Sequence, residues 1–129
     1  MKRKAFKIDQ DKHKKVQFYV DADNAEAILQ FVFEEKVDKE FKEIRTLLKD
    51  NLRNREKYCK VEVSSKAKGM YEMRFTRQRN DRIYCKEITT VKARIIIMVE
   101  LFRGKKSQDI PKRIKGRIET MGGYEYEIN

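Results

Sequence analysis

Histidine occurs once and cysteine twice in the 129 residues, and these two scarcities already remove whole classes of chemistry. His13 lies among lysines, and a single histidine cannot build a Ser-His-Asp arrangement or a zinc site. Cys59 and Cys85 have no Cys-x-x-Cys spacing, and each falls in a run that reads as strand. Both are therefore expected as buried free thiols. The longest apolar run, Ile95-Ile96-Ile97-Met98-Val99, is far short of the about 20 residues that span a bilayer as a helix. The basic start, Met1-Lys2-Arg3-Lys4, leads into no apolar segment, so no secretory signal is expected and the expected location is the cytoplasm. Neither an internal repeat nor a linker divides the chain. Residues 1–13 read as a basic, solvated arm and 14–129 as one domain.

Charge is what the chain has in excess. Hydrophobic residues make up 40% and charged residues 41%, with a net charge of +11. Residues 66–117 hold 16 Lys and Arg against five Asp and Glu, while the remainder holds 16 of each sign. All the excess is in the C-terminal half. Such a sided charge attracts polyanions and speeds their encounter, so nucleic acid or an acidic protein is the expected partner, and a membrane is not.

Periodicity orders the elements. Val16-Gln17-Phe18-Tyr19-Val20 reads as a strand. Asp23 and Glu26 have N-cap and N3 spacing, which starts a helix whose apolar stripe is Ala25, Ile28, Leu29, Val32 and Phe33. A second helix begins near Asp38 and carries Phe41, Ile44, Leu48 and Leu52 at helical spacing. The period then changes to two in Tyr58–Val63 and again in Met70–Phe75, where Tyr71, Met73 and Phe75 share one face and Glu72 and Arg74 the other. Arg77–Asp81 is a hairpin tip by composition. Arg82–Ile88 returns as a strand. Ile95–Phe102, apolar at nearly every position, belongs in the sheet centre with both faces covered. Asp109 caps a last helix with Pro111 in its first turn and Ile110, Ile114, Ile118 and Met121 inward, before Gly122-Gly123. Tyr124–Ile128 is either an edge strand or a tail. The pattern predicts an α+β domain: a mostly antiparallel sheet of about four to five strands, an N-terminal helical hairpin and a C-terminal helix, the helices on one face.

Arg74 and Arg82 project from neighbouring strands of the 70–88 hairpin, and Lys105 and Lys106 follow the central strand. Cations converging from separate segments can stabilise a phosphorane-like transition state without metal, and RNA supplies its own 2′-OH nucleophile. The same residues also fit an ordinary basic sheet face.

Three stretches resemble the RelE/ParE toxin superfamily, most of all its HigB-type, phage-derived branch. They are Tyr71-Glu72-Met73-Arg74-Phe75, Arg82-Ile83-Tyr84, and Phe102-Arg103-Gly104-Lys105-Lys106-Ser107 with Pro111 beyond. The resemblance implies a RelE-like toxin that cleaves mRNA on the ribosome by 2′-OH attack and is neutralised by a cognate HigA-like or RelB-like antitoxin. It implies catalytic roles for Arg74, Arg82 and Lys106, and RNA contacts at Lys66, Lys68, Arg77, Arg79, Lys105 and Lys112, with neither metal nor cofactor. Glu72 stands where RelE itself has a basic residue. A ParE-like inhibitor that binds without catalysis, and a basic nucleic-acid-binding domain, are the other readings open at this point.

Overall fold

The computed structural model describes residues 2–52, 54–77, 80–104 and 112–128. Their order is β1 (Arg3–Gln10), β2 (Val16–Asp21), α1 (Ala25–Val32), α2 (Glu35–Lys49), β3 (Tyr58–Lys60), a 3-10 turn (Ser65–Ala67), β4 (Met70–Phe75), β5 (Asp81–Thr89), β6 (Arg94–Phe102), α3 (Lys112–Gly122) and β7 (Tyr126–Glu127). One seven-stranded sheet runs β3-β4-β5-β6-β2-β1-β7. It is mixed, because β2 lies parallel to β6 and β1 parallel to β7, while the other pairs are antiparallel.

This corrects the fold class expected from the sequence. The sheet has seven strands rather than four or five and two parallel pairings, and the helical pair follows two strands instead of the one expected. Arg3–Gln10, read as an arm, is a strand. It is rich in Lys and leaves Phe6 exposed, so its own pattern offers no continuous apolar face, and pairing with β2 and β7 defines it. The helices also cover both faces. Val16, Phe18, Val20, Met73, Phe75, Ile83, Cys85, Ile96 and Met98 pack with Ile28, Phe31, Phe41, Ile44 and Leu48 of α1 and α2. On the other side Tyr19, Met70, Tyr84, Ile95, Ile97 and Val99 meet Ile118 and Met121 of α3. The period-two alternation of β6 serves both layers, as expected for a central strand. Among the described residues no helix is long and apolar enough to cross a membrane.

Local chemistry explains the departures in detail. Asp23 does not cap α1; the N-cap is Asn24, whose side-chain amide donates instead to the Val99 carbonyl at 2.7 Å. Asp21 takes the backbone N–H groups of Asp23 and Asn24 at 2.8 and 3.3 Å. α2 ends at Lys49, so Leu52 lies outside it and is exposed. The expected cap at Asp109, with Ile110 and Pro111, lies outside the described residues. Cys59 is half-buried and Cys85 buried, both free.

α3 packs against the 3-10 turn through Gly122, where a Cβ would overlap the Lys66 carbonyl oxygen and stand 3.0 Å from the Ala67 Cα. Backbone cannot yield as a side-chain tip can. Gly122→Ala is therefore expected to destabilise the chain by about 1–3 kcal/mol, read as a lower denaturation midpoint with an unchanged m-value. An unchanged midpoint would show that the helix end shifts freely.

Candidate nucleic-acid interface

The β4–β5 register sets Arg74 opposite Arg82 and Glu72 opposite Tyr84, so all four side chains leave the sheet on the α3 side. Arg82 is only 3% exposed; its Nη1 donates to Glu72 Oε1 at 2.5 Å. Arg74 donates to the same oxygen from Nε at 2.9 Å and Nη2 at 2.8 Å. Two guanidiniums thus share one carboxylate oxygen. Among the described residues Glu72 Oε2, Arg82 Nε and the Tyr84 hydroxyl have no partner. Burial, with Glu72 nearby, pushes the Tyr84 hydroxyl up to about 12. Burial followed by Glu72 likewise raises the Cys59 thiol, whose Sγ is 3.6 Å from Glu72 Oε1. Tyr84 stacks edge-on against Phe102, and Arg117 of α3 reaches Glu100 beside it.

Arg74, with its side chain 25% exposed, joins this buried cluster to an open groove of about 700 Å³ along β3. The groove is lined by Leu47, Leu48 and Leu52, by Tyr58 and Tyr71, and by Arg55, Lys57, Lys60, Arg74 and Arg94. The tyrosine rings stack at 5.1 Å with planes 4° apart. Some of these cations are committed: Lys57 Nζ lies 2.5 Å from Glu40, and Arg94 holds Glu87 through two bonds at 2.7 and 2.8 Å. Glu87 also accepts from the Tyr58 hydroxyl at 2.5 Å, and burial raises that hydroxyl well above its ordinary value. Arg55 and Lys60 are exposed to solvent on the groove wall; Lys60 lies 3.9 Å from the exposed Glu62, and Arg74 Nη1 donates to the Arg55 carbonyl at 3.3 Å. A basic groove beside an aromatic pair is suited to a single nucleic-acid strand.

The structure brings together two of the residues expected at a catalytic site, Arg74 and Arg82. Arg77 turns toward α2 and pairs with Glu43 at 3.4 Å. Lys66 and Lys68 are exposed at the 3-10 turn, against the end of α3. Lys112 opens α3, and only its backbone is described. Arg79, Lys105 and Lys106 lie outside the described residues. Sequence reasoning missed Arg55, Lys57 and Lys60, which sit in a segment of balanced charge. The available signal was the basic residues flanking Tyr58, but the groove forms where the C-terminal end of α2 lies beside β3.

No protein family, curated protein or solved structure matches this chain.

Proposed function

We propose that this chain is the toxin of a toxin–antitoxin pair and that it acts on mRNA at the ribosome. A single strand lies in the groove beside β3 with its phosphates on Arg55, Lys60 and Arg74, and a cognate antitoxin neutralises the same basic surface. Cleavage is by the RNA itself: the 2′-oxygen attacks phosphorus, the bond to the 5′-oxygen breaks, and a 2′,3′-cyclic phosphate and a 5′-hydroxyl result. The 2′-hydroxyl gives up its proton and the leaving oxygen gains one. The supporting observation is the position of Arg74, fixed by Glu72 from inside yet open to the groove. A preorganised guanidinium stabilises developing phosphorane charge at little reorganisation cost.

The second reading, inhibition by binding without chemistry, is favoured by the enclosure of Arg82, whose charge is spent on Glu72. Induced expression from a tightly repressed promoter, followed by mapping of mRNA 5′ ends, separates the two. Growth arrest with new 5′ ends inside translated codons, lost in Arg74→Ala at equal folded protein, is the expected result. Arrest with intact mRNA selects the second reading. Folded protein without arrest would overturn both.

A further inference from the structure

The β1–β2 turn stands at the end of the sheet opposite the β4–β5 hairpin tip, and a short β5–β6 turn stands beside it. The parallel pairing of Val16 with Arg94 brings them together, and the Arg94 N–H donates to the Lys15 carbonyl at 2.7 Å. Each turn is internally fixed. In the first, the Lys14 N–H donates to the Asp11 carbonyl, Gln17 Nε2 to the Lys14 carbonyl, and the Val16 N–H to Asp11 Oδ1. In the second, Thr90 Oγ1 accepts from the Lys92 and Ala93 N–H groups. Lys12, His13, Lys14, Lys15 and Lys92 are all exposed on this platform.

The nearby acids are already engaged, Asp9 by cations of α2 and Asp11 by the backbone of the turn. Asp9 binds Arg45 at 2.7 Å and Lys49 at 2.8 Å. Burial opposes ionisation of that carboxyl, but those cations and the Gln10 N–H outweigh it and hold it below its ordinary value. Asp11 stays within the first turn, where the Val16 N–H, followed by those of Lys15 and His13, lowers its carboxyl. Among the described residues none of Lys12, Lys14, Lys15 and Lys92 has an acidic partner. Lys14 also holds a left-handed backbone with φ of 59°, a position that favours glycine or asparagine, yet carries a long cation there.

We infer that these two turns form a second binding surface, separate from the groove, for the phosphate backbone of a folded nucleic acid. The chemistry selects that partner. Ammonium point charges on an open end read phosphates without base contacts. A protein partner would need an apolar core to desolvate, and Val91 is the one large apolar side chain exposed on these turns. The inference does not require cleavage, so intact mRNA in the expression experiment leaves it standing.

The test measures affinity of the full chain for a labelled RNA hairpin, and for a DNA hairpin of the same sequence, across a salt series. Replacing Lys12, Lys14, Lys15 and Lys92 by Gln should make the slope of log affinity against log salt shallower by about 3. The side chains are exposed, so the circular-dichroism spectrum should not change. A control removes the same charge elsewhere through Lys2, Lys39, Lys42 and Lys115→Gln, and should move the slope by less than about 1. Loss of slope on RNA, on DNA or on both supports the surface and identifies the nucleic acid. Equal loss in the control, an unchanged slope, or a loss seen only with polyglutamate as ligand would overturn it.

Discussion

Arg82→Ala is expected to lower the stability of the chain by about 3–5 kcal/mol, the cost of removing the fully buried one of the two guanidiniums that share the Glu72 carboxylate. Glu72 is as enclosed as Arg82, and its second oxygen already lacks a partner among the described residues. Arg74, with its side chain 25% exposed, already bonds the same oxygen and does not fill the buried place of the Arg82 guanidinium. For a chain of this length the loss corresponds to a fall of roughly 10–20 °C in the melting midpoint. Replacing both partners together, Arg82→Met with Glu72→Leu, should recover most of it, because the two desolvation penalties disappear with the charges. A melting midpoint in Arg82→Ala within a degree or two of the parent would refute this account. The result also governs how function is read: an inactive Arg82→Ala protein says nothing of catalysis until its folded fraction is known, whereas Arg74→Ala reports on the groove.

The other large effect belongs to Asp21, fully buried where the two ends of the chain meet. Its carboxylate accepts from Arg3 Nε at 2.8 Å and Nη2 at 3.1 Å, and from the Tyr126 hydroxyl at 2.5 Å. With the Asp23 and Asn24 N–H groups, five donors converge on one side chain. The bond to Asp21 holds the Arg3 guanidinium even more firmly protonated, and burial followed by that same carboxylate raises the Tyr126 hydroxyl. Asp21→Ala leaves the Tyr126 hydroxyl and the Asp23 N–H without this acceptor and takes from the partly exposed Arg3 its bidentate partner, leaving it only Asp23 at 3.3 Å, so a loss of about 2–4 kcal/mol is expected. Hydrogen exchange gives the sharper check. The amides pairing β1 with β7 should lose protection first, while those of β5 and β6 keep theirs relative to global unfolding. Uniform loss across the sheet would contradict a local clasp.

The contrast between what the sequence disclosed and what it hid follows from where each element finds its partner. β2, α1, α2, β5, β6 and α3 each carry an apolar stripe of the right period, because each buries a face against a neighbouring layer. β1 and β7 carry no such stripe: β1 leaves Phe6 in solvent, and β7 is two residues long. They are strands because of each other and β2, which periodicity does not record. The site divides similarly. Alternation placed Glu72 and Arg74 on one face, and the hairpin brought Arg82 beside them. That one carboxylate oxygen would bind both guanidiniums depends on register, which is invisible before the strands pair. The groove was less legible still, since Arg55 and Lys60 become neighbours of Arg74 only through β3 against β4. The expected boundary between a solvated arm, 1–13, and the domain, 14–129, cuts through the platform at residues 12–15, because its anchor, Arg94, is far along the chain.

The placement of β2 between β6 and β1, with β7 closing the outer edge, bears on how the protein is made. A nascent chain emerging from the ribosome can assemble α1, α2 and the β4–β5 hairpin from local contacts. The second strand, β2, however, must wait for Arg94–Phe102 before it gains its inner neighbour, and Arg3 must wait for Tyr126. Contacts so distant in sequence slow folding and leave unpaired strands exposed meanwhile. The sheet thus closes only once residues 94–102 and 126–127 are available, and the interval before that is when β1 and β2 depend most on chaperones or on a partner.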